Sequence, residues 1–452
     1  MSAELSQPTS PERSLDELAN LASDVLARCR KLGATQAEVS LNLDAGLNVN
    51  VRMGEVETVE HTRDRGVAIS VYFGKRKGSA STADVRAESI ATTIEQACAI
   101  ARYTEEDPCS GLADAERMAT FFPELDQWHP WALDAAHAIE LGIAAEAVGR
   151  ALDPRLHNSD GASVSTGSSV AVYANSHGFF GRESATRHSL SCSLLGEDDN
   201  GMQRDYWYTT GVAAEDLESA EAVGRRAGER TLARLSPRKI PTQECAVLFV
   251  PEVARSLVGH LVGAVSGGAL YRKASFLLDS VGQTLFPTWF NILEQPHIKR
   301  GAGSSAFDAE GVATIDRELV RDGVLARYIL GSYSARKLGL QSTGNAGGIH
   351  NLVVSANGGD FADMLKQLGT GFLVTELMGQ GVNTVTGDYS RGAAGFWVER
   401  GVITFPVDEV TIAGNLREMF RRIVAVGTDI DTRGSRSEEH TSELQSPVVT
   451  SY

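Results

Sequence analysis

Leu15, Leu18, Leu21, Ala22, Val25, Leu26 and Cys29 recur at three- and four-residue spacing up to Gly33, which places them on one face of a helix. Ser14-Leu15-Asp16-Glu17 has the Ser-x-x-Glu form of a capping box, so the helix is predicted to open there. Strict alternation follows in Val39, Leu41 and Leu43, in Leu47, Val49 and Val51, and in Val67, Ile69, Val71 and Phe73. That is the period of half-buried strands, and turns expected at Asp44-Ala45-Gly46, Met53-Gly54 and Asp64-Arg65-Gly66 make them an antiparallel meander. Helical spacing returns around Glu88 to Tyr103 and again from about Asp134 to Leu152. The loop between these helices holds Pro108, Pro123 and Pro130 and is long for a compact domain, which suggests that it covers something.

Strands are predicted from Ala162 to Thr210, with a turn at Asn175-Ser176-His177-Gly178, and then a helix from about Leu217 to Leu235. Arg234 to Gln243 has two prolines and no apolar periodicity, so the first domain is drawn as 1–235 and the second as 236–433. The second opens with a strand, Cys245 to Val250, and a helix from Glu252 to about Val265. A hairpin turn at Asp322-Gly323, a short helix near Ser334 and a helix capped by Asp360 and ending at Gly369 follow. Phe372 to Leu377, Gly395 to Glu399 and Val402 to Phe405 read as strands. Helices and strands come in blocks rather than in strict alternation, which predicts an α+β class. The expected architecture is a two-domain chain rich in antiparallel sheet, with helices packed on the sheets and a strand-rich C-terminal half.

Charge narrows the partners. Asp and Glu number 58 against 42 Lys and Arg, a net charge of −16, and such a surface repels phosphate backbones, so nucleic acid is not expected. Met1 to Arg13 has neither a basic stretch nor an apolar one, so the chain is expected in the cytoplasm. The most apolar run, Ala246 to Leu270, is broken by Pro251, Glu252, Arg255 and His260 and is expected in a core, not a membrane. Five cysteines without a C-x-x-C pair suggest neither a disulfide framework nor a cysteine zinc site. Arg436 to Pro447 resembles the translation of a sequencing-library adapter, so 434–452 is expected to be a non-native tail, and without its one arginine and three glutamates the body stays acidic.

The chain has no G-x-x-x-x-G-K-[ST] motif, and Gly379-Gln380-Gly381 is not continued at dinucleotide spacing. Asp388-Tyr389-Ser390-Arg391-Gly392 falls short of a nucleophile elbow because Asp388 stands where the strained turn needs glycine. Asp388 and Arg391 are instead expected in a salt-bridged turn or on a groove wall, with His350 and Glu376 as further groove candidates. His260 lies on a predicted helix directly after a buried strand, where a zinc peptidase would need a second histidine and an activating glutamate. Arg255 and Ser256 are there instead, and a guanidinium repels a dication.

Several blocks share one resemblance: Gly259-His260-Leu261-Val262-Gly263-Ala264, Tyr271-Arg272-Lys273, Ser332 to Gly339, Gly347-Gly348-Ile349-His350-Asn351, Thr375 to Gly381 and Gly387 to Trp397. With Lys77 to Ser81 and Arg187 to Ser191, they resemble the PmbA (TldE) branch of the TldD/PmbA metalloprotease family from about Leu15 to Arg433. In that family the TldD subunit carries a His-Glu-x-x-x-His helix that, with a later cysteine, binds zinc. The resemblance puts Arg255, Ser256 and His260 at the first histidine, the glutamate and the second histidine. It implies a subunit with no catalytic residue, metal or cofactor of its own, paired with a zinc-bearing TldD-type partner. The implied substrate is an extended or unfolded peptide, which binds well by adding a strand to a sheet edge, for instance among the strands from Gly371 to Phe405. Two alternatives stand beside this: an autonomous hydrolase around His350, Glu376 and Asp388, and a regulatory peptide-binding protein.

Overall fold

The computed structural model describes residues 10–433 and, beyond them, the backbone of two short strands, His440–Thr441 and Gln445–Val449. The first apolar stripe becomes helix α1 (Glu12–Lys31), which buries Leu18, Ala22, Val25 and Cys29. It begins ahead of the expected box. Pro11 is its N-cap, without a side-chain cap, and Ser14 already lies inside the first turn.

Strands β1 (Gln36–Arg52) and β2 (Glu55–Phe73) form one long hairpin instead of a meander, with Asp44 opposite Asp64 and Gly46 opposite Thr62. The turns expected at 44–46 and 64–66 are therefore ladder positions inside the hairpin. Only Met53-Gly54 turns, with φ of 54° and 79°, the left-handed pair that a two-residue hairpin loop of this type requires. β4 (Asn158–Asn175) pairs along the other side of β1, from Glu38 to Val51, and this two-sided pairing outweighs the weak strand preference of Asp and Gly.

With β3 (Arg76–Thr82), β5 (Phe180–Asp198) and β6 (Gly201–Gly211) these strands make a six-stranded sheet in the order β3-β2-β1-β4-β5-β6. Helices α1 and α2 (Ala87–Tyr103) share one apolar cluster with the β1–β2 end. Helices α3 (Ala135–Arg150) and α4 (Ala220–Ala233) share a second with β4, β5 and β6. Asp134 caps α3 by accepting the His137 backbone N–H at 2.8 Å. Gly224 lets α4 lie against α3, since a Cβ there would stand 1.8 Å from the Ala145 carbonyl oxygen. The long loop after α2 does act as a cover. It ties the sheet to the second half through Ala119 N–H to Gly311 O at 2.9 Å and the Arg117 guanidinium to Ser342 O at 2.6 Å.

The second half opens with β7 (Gln243–Phe249), α5 (Pro251–Ala264) and the short α6 (Gly267–Tyr271). A small sheet, β10-β9-β8-β11, is built from β8 (Ile292–Glu294), β9 (Arg317–Arg321), β10 (Val324–Leu325) and β11 (Leu352–Val354), with α7 (Ser332–Leu338) between β10 and β11 in sequence. After α8 (Phe361–Leu368) come β12 (Gly371–Met378), β13 (Asp388–Glu399), β14 (Val402–Asn415), α9 (Leu416–Arg421) and β15 (Ile430–Asp431). His440–Thr441 and Gln445–Val449 are β16 and β17. The main sheet runs β14-β13-β12-β7-β17, with β12 parallel to β7 and the other neighbours antiparallel.

This is an α+β fold rich in antiparallel sheet, as the pattern predicted. Between Gly371 and Phe405, β12 and β13 are internal strands and only β14 lies at the sheet edge. The apolar run from Ala246 supplies β7 and α5, whose Val247, Leu248, Phe249 and Leu261 are fully buried. Among the described residues no helix is long and apolar enough to cross a membrane, and all five cysteines are free. Of the expected non-native tail, 434–439, 442–444 and 450–452 lie outside the described residues, while β16 pairs with β15 and β17 with β7.

Candidate functional site

Helix α5 follows β7 directly, with Val250 at the N-cap and Pro251 at its start, where proline's missing N–H costs nothing. One stripe of α5 (Val253, Ala254, Leu257, Val258, Leu261, Ala264) is buried. Glu252, Arg255 and Ser256 line a cavity of ≈ 300 Å³ that is closed on the other side by residues 205–208 of β6, by Arg230 of α4 and by Arg234 at its C-cap. Thr375, Glu376 and Leu377 of β12, Arg391 of β13 and Arg433 complete its wall. The site therefore lies where the N-terminal sheet meets the start of α5.

A bulge aims β12 at the cavity. Val374 pairs with Gly395 but Glu376 with Ala394, leaving Thr375 as the extra residue, and such an insertion bends the strand and redirects the following side chain. Glu376 then meets Arg234 at 2.5 Å, and Arg234 also lies 3.7 Å from Asp205. Arg230 holds Asp205 at 3.2 Å and Glu252 at 2.8 Å. Arg433 pairs with Asp431 at 2.7 Å and lies 3.9 Å from the Trp207 ring centre, while Arg226 lies 3.8 Å from the same centre. Both guanidiniums thus stack on Trp207 as cation–π partners.

Five arginines face three carboxylates in the lining, and Arg230 and Arg234 engage all three. Among the described residues Arg255 and Arg391 form no ion pair. Arg391 gives one long hydrogen bond, 3.5 Å to the Leu377 carbonyl. Four polar atoms in this neighbourhood are buried without a hydrogen-bond partner among the described residues: Ser256 Oγ, His260 Nε2, Tyr389 OH and Arg391 Nε. The His260 and Tyr389 rings meet edge to face with centres 5.8 Å apart. Burial, and then the Arg391 charge, pull His260 down to about 4, so its ring is neutral at neutral pH. Burial pushes the Tyr389 phenol up to about 12, against the opposing pull of Arg391.

The residues singled out in the sequence fall into three places. Arg255, Ser256, Glu376 and Arg391 come together around the cavity, with His260 behind it against Tyr389. His350 belongs elsewhere. Its Nδ1 and backbone N–H both meet Glu294 Oε1, at 2.9 and 2.8 Å, and Asn345 and Arg327 donate to the same carboxylate. Burial alone would raise Glu294, but the His350 hydrogen bonds and the Arg327 charge hold it at about 2. Asp388 opens β13 and bonds to Thr386 and Asn415. The Ala394 partner of Glu376 lies about 20 Å further along that strand, at ~3.3 Å per residue. Asp388 thus sits in a polar turn, but its partners are uncharged, and the expected salt bridge with Arg391 does not form.

The pattern reading passed over Asp205, Trp207, Arg230, Arg234 and Arg433. Arg230 and Arg234 carried a signal: two like charges one helical turn apart repel unless carboxylates from elsewhere separate them.

Zinc requires several lone-pair donors. At the three motif positions only His260 has one to give as an imidazole, since a guanidinium has no free lone pair and a serine hydroxyl is a poor ligand. Among the described residues no three His, Cys, Asp or Glu side chains are grouped to hold a metal. The side chains at these three positions do not fit a zinc ion.

Comparison with known proteins places this geometry in a family. Residues 37–101 match PmbA/TldA metallopeptidase domain 1, 128–235 the central domain and 242–449 the C-terminal domain. Metalloprotease PmbA of Escherichia coli O157:H7 is 49% identical over 431 residues, covering 95% of both chains. The crystal structure of a candidate modulator of DNA gyrase from Bacteroides thetaiotaomicron superposes with a TM-score of 0.91 at 28% identity, covering 96% of this chain and 98% of that one. TldE from Thermococcus kodakarensis shares the fold, with a TM-score of 0.80 at 18% identity and coverage of 96% and 100%. Three consecutive family domains and a near-full-length relative at this identity establish that the chain belongs to the PmbA branch of the PmbA/TldD metallopeptidase family.

Proposed function

We propose that this chain is the non-catalytic, TldE-like subunit of a zinc metallopeptidase complex that cleaves and matures extended or unfolded peptides in the cytoplasm. A TldD-type partner supplies the zinc and the activating glutamate. The observation that carries this reading is Arg255 on α5, at a motif position where the catalytic subunit needs a metal ligand, beside Ser256 where it needs a base. A positive charge at that point raises the energy of a bound dication instead of lowering it. The chain's contribution is then binding and enclosure: its sheets and the cover loop after α2 form a rigid wall against which a peptide can be held extended. β14 is the outer strand of the main sheet, bridged by Arg238 at Val407, and strand addition along such an edge would recognise a peptide backbone whatever its sequence.

Sedimentation of the chain with a TldD-type subunit tests the pairing. A stoichiometric heteromer absent from either sample alone is the expected result. Independent sedimentation of the two, with peptide hydrolysis by this chain alone, would overturn it.

A further inference from the structure

We propose that the cavity between β6, α4, α5 and β12 is a binding site for a carboxylate carried on a peptide, gripped by Arg255 and Arg391. The proposal rests on the reading above only in taking the ligand to be a polypeptide.

The whole chain carries a net charge of −16, yet this cavity is locally cationic, because its three carboxylates are already committed to Arg230 and Arg234. Arg255 reaches only the field of Asp431, a buried carboxylate already paired with Arg433, and Arg391 has no ion pair among the described residues, so two guanidiniums without a direct counter-ion face one cavity and repel each other. A neutral side chain at either position would remove that repulsion, whereas an anionic ligand offsets it. Arginine presents its donors in a planar fork that matches a carboxylate. Both forks are short of acceptors here: Arg255 has no ion pair among the described residues, and Arg391 keeps Nε buried and unpartnered. Ser256, next to Arg255 on α5, adds a hydroxyl in the same condition.

Size and lining narrow the ligand. A volume of ≈ 300 Å³ is at the lower end of ligand pockets, about 300–1,000 Å³, and suits a chain end or one acidic side chain. Val253 and Leu377 in the lining can receive the apolar stem that a peptide carboxylate carries and a free inorganic anion lacks.

The test is equilibrium binding to the purified full chain, without partner or zinc, read by calorimetry and by intrinsic tryptophan fluorescence, to which Trp207 in the cavity wall contributes. Four probes are compared: acetyl-tetraalanine with a free C-terminus, the same peptide as its amide, an acetylated amide with one central Glu, and inorganic phosphate. At least one carboxylate peptide is expected to bind about tenfold or more tighter than the neutral amide. Which of the two binds distinguishes a chain end from an acidic side chain. Arg255→Gln and Arg391→Gln should each remove that preference, Arg255→Lys should keep part of it, and Arg321→Gln on the exposed end of β9 should leave it intact. Equal binding of acid and amide overturns the proposal, as does a preference that survives both glutamine variants. Binding of inorganic phosphate with neither carboxylate peptide also overturns it. The comparison of peptides on the unmodified chain stands even if a variant fails to fold. Since no partner is present, failure of the complex to form leaves this result untouched, and loss of the carboxylate preference leaves the pairing reading untouched.

Discussion

Arg234, the C-cap of α4, donates to Glu376 of β12 at 2.5 Å, linking the N-terminal half to the bulge that shapes the cavity. The Arg234 side chain is 11% exposed and Glu376 32%, with the 5%-exposed Asp205 on the other side of the guanidinium. Removing Arg234 leaves Glu376 without its counter-charge and Asp205 with Arg230 alone. Arg234→Met should therefore cost about 2–4 kcal/mol, reduced from a fully buried pair because Glu376 reaches solvent. Thermal unfolding should show a Tm several degrees lower. A cycle with Glu376→Gln should be clearly non-additive, and additivity would mean that the two do not interact.

His260 sets one acid limit of the fold. Its proton affinity is pulled from the ordinary 6.5 to about 4, so the unfolded chain binds a proton more readily than the folded one between these values. Its contribution is intact above pH 6.5 and is lost as pH falls towards 4, on the order of 2 kcal/mol. His260→Gln should flatten stability in that window. An unchanged pH profile would contradict the burial of this ring.

Glu294 governs a lower window. Held at about 2 against an ordinary 4.5, it stabilises fully above 4.5 and loses that contribution as the pH drops towards 2. Glu294→Gln leaves Arg327 buried without its carboxylate, and stability at neutral pH should fall by about 3–5 kcal/mol. Denaturation followed at pH 7 and pH 3 should show a smaller difference between variant and parent at the lower pH.

Close packing of α3 on α4 depends on a missing side chain. A methyl at Gly224 would collide with the Ala145 carbonyl oxygen, 1.8 Å from the ideal Cβ. Gly224→Ala should cost about 1–3 kcal/mol despite alanine's better helix propensity. A rise in Tm would show that the helices can separate at no cost.

Periodicity made the helices legible, because α1, α2 and α8 each carry an apolar stripe, and Asp360 caps α8 as its side chain suggested. It erred at Asp44-Ala45-Gly46 and Asp64-Arg65-Gly66. Turn-forming residues there are held extended by ladders from neighbouring strands, a constraint that local sequence does not contain. It also ended the hairpin strands early, since β13 and β14 continue through polar and glycine positions such as Arg391, Gly392 and Asp408. The site followed the same division. Arg255, Ser256 and His260 share one helix and were found by spacing, whereas Glu376 and Arg391 were groove candidates alongside His350 and Asp388, and only the first two of these four line this cavity. Asp205, Trp207, Arg230 and Arg234 come from another sheet and helix, far away in sequence. Only the packing of β6 and α4 against α5 brings them to the cavity.

Metal content and peptide hydrolysis, measured for this chain alone and mixed with a TldD-type subunit, bear most directly on its role. Zinc and turnover should appear only in the mixture and should persist when His260 is changed to Ala in this chain. Stoichiometric zinc in the isolated chain, or turnover by it alone, would contradict the assignment of a non-catalytic subunit.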